Sequence, residues 1–170
     1  MGLTVKAASR ARFVCPHWFA GKREHDEDHW LVHGQDYPER LDGLAPGWYE
    51  PQGEIFHFWA GSYGSYNRWR RRLSLLMLRV PPAEVWASPD NYRGQPFVEL
   101  INFTDSAGAI GPRTSANLAA DFIEHAPPTG FGTTGFPEWE DVGADYFVRV
   151  YRDFTKAFEL AAGGGVVVFA

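Results

Sequence analysis

The chain has 170 residues, 45% of them hydrophobic and 16% aromatic, with 16 Lys and Arg against 21 Asp and Glu for a net charge of −5. That length suits one domain of roughly 100–200 residues and excludes two full ones; the apolar content excludes a disordered chain, and the acidic balance argues against general nucleic-acid binding, which rewards basic surfaces. One cysteine excludes an internal disulfide, and the lack of a signal peptide or an apolar run of about 20 residues points to a cytoplasmic protein without a membrane segment.

Two short β runs, Leu3 to Ala7 and Ala11 to Cys15, flank an Ala-Ser-Arg turn and predict a hairpin. From Pro16 to Gly53 the pattern breaks into His, charge, Pro and Gly, which reads as an irregular insertion at 16–53. Glu54 to Ala60 then alternates as a strand and meets a Gly-rich turn, GSYGS. A helix follows from about Tyr66 to Leu78, with Ser65 as its N-cap and Tyr66, Trp69, Leu73, Leu76 and Met77 on one stripe. Pro81 and Pro82 stop it.

Pro96 to Phe103 (PFVELINF) reads as a central strand buried on both faces, feeding the loop TDSAGAIG. Pro112 suits the first position of a helix whose buried face is Leu118, Ala119, Phe122, Ile123 and Ala126. After Pro127 and Pro128, the stretch TGFGTTGFPEWED reads as a surface loop or lid with aromatic anchors such as Trp139. Phe147, Val150, Phe154, Ala157, Phe158 and Ala161 then repeat at helical spacing, Gly163 to Gly165 stop the helix, and VVVF forms a last, integral strand. The whole is a single α/β domain (α+β is possible) over 1–170, a mixed β-sheet with about three helices packed on it.

Three constellations offer chemistry. At the strand-to-helix turn, Ser62, Tyr63, Ser65, Tyr66, Asn67, Arg68 and Arg71 set hydroxyls and guanidinium forks near a helix N-terminus, where an anion is favoured. The lysine and spacing of a P-loop are missing, and the alternative is a plain turn with solvated arginines. Asn102, Asp105 and Ser106 end the expected buried strand, where Asp105 is a candidate base or ribose acceptor and otherwise a turn-former. A parallel right-handed crossover through the arginine helix would bring both loops to one pocket. His25, His29 and His33 are spaced to share a helical face near Cys15 and His17, a weak zinc candidate against ordinary surface histidines. Glu138, Glu140, Asp141 and Asp145 read as a solvated acidic loop and helix start, and no cofactor signature is present.

Gly61 to Arg70 (GSYGSYNRWR), Glu99 to Pro112 (ELINFTDSAGAIGP) and Phe158 to Ala162 (FELAA) together resemble a functionally uncharacterised family of small proteins from bacteria and their phages. The resemblance implies a shared fold and a common site at the first two motifs, but no reaction. The expected function is a binding module for a small anionic, nucleotide-like ligand, with a role in phage or bacterial defence as an extension. The alternatives are a hydrolase or transferase acting on a phosphorylated small molecule with Asp105 as base, and a protein-interaction domain. A protein partner or homo-oligomer fits any of the three.

Overall fold

The computed structural model describes residues 1–16, 28–34, 36–126 and 143–170. Its frame is an antiparallel ribbon of two long strands, β1 (Gly2–Pro16) and β3 (Gly47–Ser62). The expected hairpin at Ala8-Ser9-Arg10 is a bulge in one continuous strand. No residue there takes the positive φ that a two-residue hairpin turn requires, and β3 offers pairing along the whole of β1. Irregularities at Leu3/Thr4, Ala8/Arg10 and Phe13/Cys15 bend the ribbon.

Three short strands complete the sheet: β2 (Trp30–Val32), β4 (Gly108–Ile110) and β5 (Val166–Phe169), in the order β2-β3-β1-β5-β4. The integral last strand is present and buried at all four positions. Gly165 lets β5 approach β1, since a Cβ there would lie 1.8 Å from the Ala8 carbonyl oxygen. The region 16–53 is not simply irregular, because it holds β2, a 3-10 turn at Pro38–Leu41 and the first part of β3. The sheet curls until its edges meet: the Ala109 N–H of β4 donates to the His33 carbonyl at 3.1 Å, just beyond β2.

The helices are α1 (Tyr63–Met77), α2 (Pro82–Ala87), α3 (Val98–Ile101), α4 (Pro112–Glu124) and α5 (Ala144–Ala161). The single α/β domain of helices on a sheet is therefore the architecture found. Pairing is antiparallel throughout the described strands, so the parallel crossover does not form. The reason lies in residues 96–103, where the expected strand is the single turn α3, entered through Phe97 at φ +60°. Phe97, Val98, Leu100, Ile101 and Phe103 are buried as expected. A run apolar on every side, however, does not distinguish a buried strand from a buried helix. The loop that follows it contains β4, too short and Gly-rich to register as a strand.

α1 begins at Tyr63, three residues early, because Ser62 is the cap: its Oγ accepts from the Ser65 N–H at 3.1 Å. α4 starts on Pro112 as expected, and Asp42 supplies the cap that Gly111 lacks, accepting from the Thr114 N–H at 2.7 Å and its hydroxyl at 3.0 Å. Ile123 and Ala126 lie outside the buried face of α4. No helix among the described residues is long and apolar enough to cross a membrane. The expected loop at 129–141, with Glu138, Trp139, Glu140 and Asp141, lies outside the described residues, as do His17 and His25.

The two faces of the sheet carry separate cores. Leu3, Val5, Ala7, Phe58, Ala60, Val167 and Phe169 face α1, α4 and α5 across an aromatic cluster in which Phe154 touches Trp69 and Phe58, each at 5.0 Å between centroids. Ala8, Val166, Val168 and Ala109 face inward on Trp30, Val32, Tyr49 and Leu41. Phe154→Ala should therefore cost about 3–5 kcal/mol by the usual loss of transfer energy and packing. Ile123→Ala, 61% exposed, should stay within about 0.5 kcal/mol, and urea unfolding of the two variants checks the contrast.

Candidate functional site

At the N-terminus of α1 the hydroxyls serve the helix itself. Ser62 Oγ takes the Ser65 N–H, lies 2.9 Å from Ser65 Oγ, and Arg68 Nη2 donates to Ser65 Oγ at 3.4 Å. Gly61 makes the turn at φ +107°, where a Cβ would meet the Tyr146 hydroxyl at 2.7 Å. Tyr63 is half-buried against the core. Tyr66 is wholly buried, stacked near Trp69, and burial pushes its phenol far above the ordinary range. It is a core residue, so its hydroxyl is not presented at the turn as the sequence suggested. Arg68 and Arg71 face outward, whereas Arg70 and Arg72 are buried.

The two motifs do meet, by a different route from the one expected. Asn67 Nδ2 donates to Asp105 Oδ2 at 2.7 Å, and Asn67 Oδ1 accepts from Arg70. Arg70 also donates to the Phe103 carbonyl, with its guanidinium 5.0 Å from the Trp86 ring centre. From the other side, Arg40 on the 3-10 turn donates to the Glu99 and Asn102 carbonyls. Trp86 Nε1 takes the Ile101 carbonyl at 3.0 Å, and Asp121 Oδ2 accepts the Phe97 N–H at 2.7 Å. Side chains thus serve the backbone groups that a sheet neighbour would have served, the physical reason for α3 in place of a strand.

Arg40 also lies over two rings, 4.6 Å from the Tyr37 centroid and 5.5 Å from that of Phe103. Burial pulls its pKa down, with Glu39 and Glu99 opposing; a guanidinium so placed stays charged. Glu99 is pushed the other way, its carboxyl raised chiefly by burial.

Tyr37 and Phe103 form part of a cleft of about 160 Å³ between residues 33–37 and 103–108. His33, Gly34 and Asp36 line one wall, and Thr104, Ser106, Ala107 and Gly108 the other. Thr104 Oγ1 fixes that second wall by accepting from the Ser106 and Ala107 N–H groups at 3.2 and 3.3 Å. Ser106 thus belongs to this cleft, Asp105 is held toward α1, and Asn102 contributes its carbonyl to Arg40. The cleft takes nothing from the start of α1.

Of the weak zinc candidates, His17 and His25 lie outside the described residues. His29 and His33 bracket β2, so they do not share a helical face as the spacing suggested. Among the described residues no group of His, Cys, Asp or Glu is placed to hold a metal. Sequence reading missed Arg40, Tyr37 and Thr104 and weighed His33 only as a ligand. Comparison with protein families, characterised proteins and solved structures finds no match.

Replacing Arg40 by Leu leaves the Glu99 and Asn102 carbonyls unpaired, at about 1–3 kcal/mol for each. Arg40→Lys should recover little, since one ammonium does not reproduce a planar fork between two rings; urea midpoints of both variants check this. Glu99 supplies a pH test. Its folded pKa lies above its unfolded one, so its contribution to stability is present at low pH and is lost as pH rises through that window. Glu99→Gln should be more stable than the parent at pH 7, with the difference shrinking toward pH 4.

Proposed function

We propose that the protein is a binding module for a small anionic, nucleotide-like ligand, taken up in the cleft between residues 33–37 and 103–108. The observation that carries this reading is the buried Arg40 guanidinium behind two of the residues that line the cleft, Tyr37 and Phe103. Its hydrogen bonds go to neutral carbonyls, which leave the charge in place. Glu39 places a carboxylate oxygen 3.7 Å away on a largely exposed side chain, and Glu99 also lies near enough to favour its charge. A buried, incompletely compensated cation draws an anion more strongly than one in water. Asp36 opposes it from the exposed rim, and His33 adds an imidazole to the same wall.

Size narrows the ligand. A space of about 160 Å³ is close to the roughly 150 Å³ that accepts a single benzene ring, and below the about 300–1,000 Å³ typical of drug-sized sites. One phosphoryl group or one ring of a nucleotide fits, with the remainder outside. Thr104, Ser106, His33 and Tyr37 provide hydroxyl and imidazole groups for its edge. The anion site expected at the start of α1 is not retained, because its hydroxyls are occupied in capping.

Thermal shift and calorimetry with nucleoside monophosphates, their nucleosides and inorganic phosphate test the reading. A ligand at a hundred times its Kd should stabilise the fold by about 2.7 kcal/mol. Ser106→Trp, which fills the cleft from an exposed position, should abolish the shift while leaving the unliganded melting temperature unchanged. Absence of any shift at millimolar ligand, or a shift that survives Ser106→Trp, overturns the proposal. Ligand recovered intact marks binding; product formation turns the reading to the hydrolase or transferase alternative.

A further inference from the structure

Among the described residues, β3 is paired along one side and largely open along the other. β1 accompanies it from Gly47 to Ser62, whereas β2 reaches only Gly47, Trp48 and Tyr49. The orientation of the open groups follows from β1. Thr4 exchanges both backbone bonds with Ala170, at 2.8 and 2.9 Å, so it faces β5. In an antiparallel strand alternate residues face the same neighbour, which puts Lys6 and Ala8 toward β5 as well. Opposite Thr4, Lys6 and Ala8 stand Trp59, His57 and Ile55. Those three residues therefore turn their N–H and C=O groups away from β1, to the open edge. Arg149 donates to the Trp59 carbonyl at 3.3 Å; among the described residues no strand pairs with the edge there.

The side chains of the same residues are also uncovered: Ile55 is 49% and Trp59 60% exposed, with His57 exposed between them. Phe58 and Ala60 point the other way, into the helix-side core. We infer that this edge pairs antiparallel with the same edge of a second copy of the chain, about a two-fold axis at His57.

The register is self-complementary. Ile55 and Trp59 are equidistant from His57, so a two-fold axis there sets each Ile55 opposite the other copy's Trp59, an aromatic–β-branched pair of the kind that stabilises adjacent strands. His57 adjoins its own copy, and every one of these pairs is of the doubly bonded type. Charge follows the same symmetry. Glu54, 64% exposed and 3.9 Å from Lys156, lies beside Ile55 at one end, and Arg149, 46% exposed and 3.0 Å from Asp153, is bound at Trp59 at the other, so a partner's charge would join each existing pair. Antiparallel pairing brings Glu54 of each copy to Arg149 of the other, where the partner's Ile55 N–H replaces the arginine on the Trp59 carbonyl. A proline, a bulge or an edge lysine, the devices that discourage such pairing, are absent within 55–59; Pro51 and the register shifts at Ala8/Arg10 and at Leu3/Thr4, where Ala60 is the extra residue, flank it. An unrelated peptide could use the backbone groups, but nothing would give it the apolar and charged pattern centred on His57.

Sedimentation velocity of the full chain across micromolar concentrations tests the inference. The expected species has twice the 19.1 kDa chain mass. Ile55→Lys should raise the dimer dissociation constant by about tenfold or more, whereas Ile123→Lys, at an exposed site on α4, should leave the dimer intact. Glu54→Arg and Arg149→Glu should each weaken it, and the double variant should restore it. A chain that stays monomeric throughout, even one that captures a foreign peptide on this edge, overturns the inference. A dimer indifferent to Ile55→Lys, or single charge variants that the double variant does not rescue, overturns it equally.

Discussion

Two buried guanidinium groups hold the carbonyls at the end of α3, and the neighbouring structure depends on that grip. Arg40 reaches the Glu99 and Asn102 carbonyls from the turn after β2, and Arg70 reaches the Phe103 carbonyl from α1. A helix of four residues has few internal bonds and leaves most of its carbonyls without a helical partner. Charged donors serve them at about 1.5–3 kcal/mol each, which offsets much of the cost of burying the arginines. Because the two arginines come from different elements, the segment 99–105 is fixed between the closing end of the sheet and α1. Asp105 then meets Asn67, and Phe103 and Tyr37 are held as walls of the cleft.

The place of that cleft follows from how the sheet closes. The bent β1–β3 ribbon carries β2 back toward β4, and the two edges meet through the bond between Ala109 and His33 and through the Gly111 N–H on the Arg40 carbonyl at 2.7 Å. With only these short segments at the seam, a gap remains between residues 33–37 and the loop leading into β4. Gly34 and Gly108 line it and keep it open: at Gly108 a Cβ would lie 2.9 Å from the Phe103 and Thr104 side chains. The seam is thus both the closure of the fold and the candidate site, and its rigidity comes from Arg40 below it.

Much of this order was legible in the residues and some was not, for identifiable reasons. The periodicity of α5, the terminal strand and the Pro112 start of α4 could be read because one buried face sets each pattern locally. The sequence predicts that the loops of Asn67 and Asp105 share one pocket; the two side chains instead bond to each other, and the crossover invoked to bring the loops together does not exist. Arg40 leaves no signature in the pattern, and Arg70 reads there only as charge for an anion, because a pattern reading assigns arginine to solvent while the partners of both are backbone carbonyls distant in sequence. The run from Pro96 to Phe103 was read as a strand because its burial is uniform; only the side-chain partners of its backbone decide otherwise. The bulge at Ala8 was read as a hairpin turn because the length of β3 is hidden by Pro51 and Gly53 within it.

The disparity in strand length has a further consequence. β3 is a 16-residue strand and β2 a three-residue one, so closing the sheet over Gly47 to Tyr49 leaves the far part of β3 without a neighbour. The same disparity that confines the seam to its short contact also opens the edge at Ile55, His57 and Trp59. The two features use different elements: every residue of the cleft comes from 33–37 and 103–108, none from β3 or α5. A substitution on the edge therefore reaches the cleft only through the ribbon and the core, where Val5, Ala7 and Phe58 are locked by packing. The binding proposed at the seam and the association proposed at the edge are for that reason separable, and a change in one is no evidence about the other.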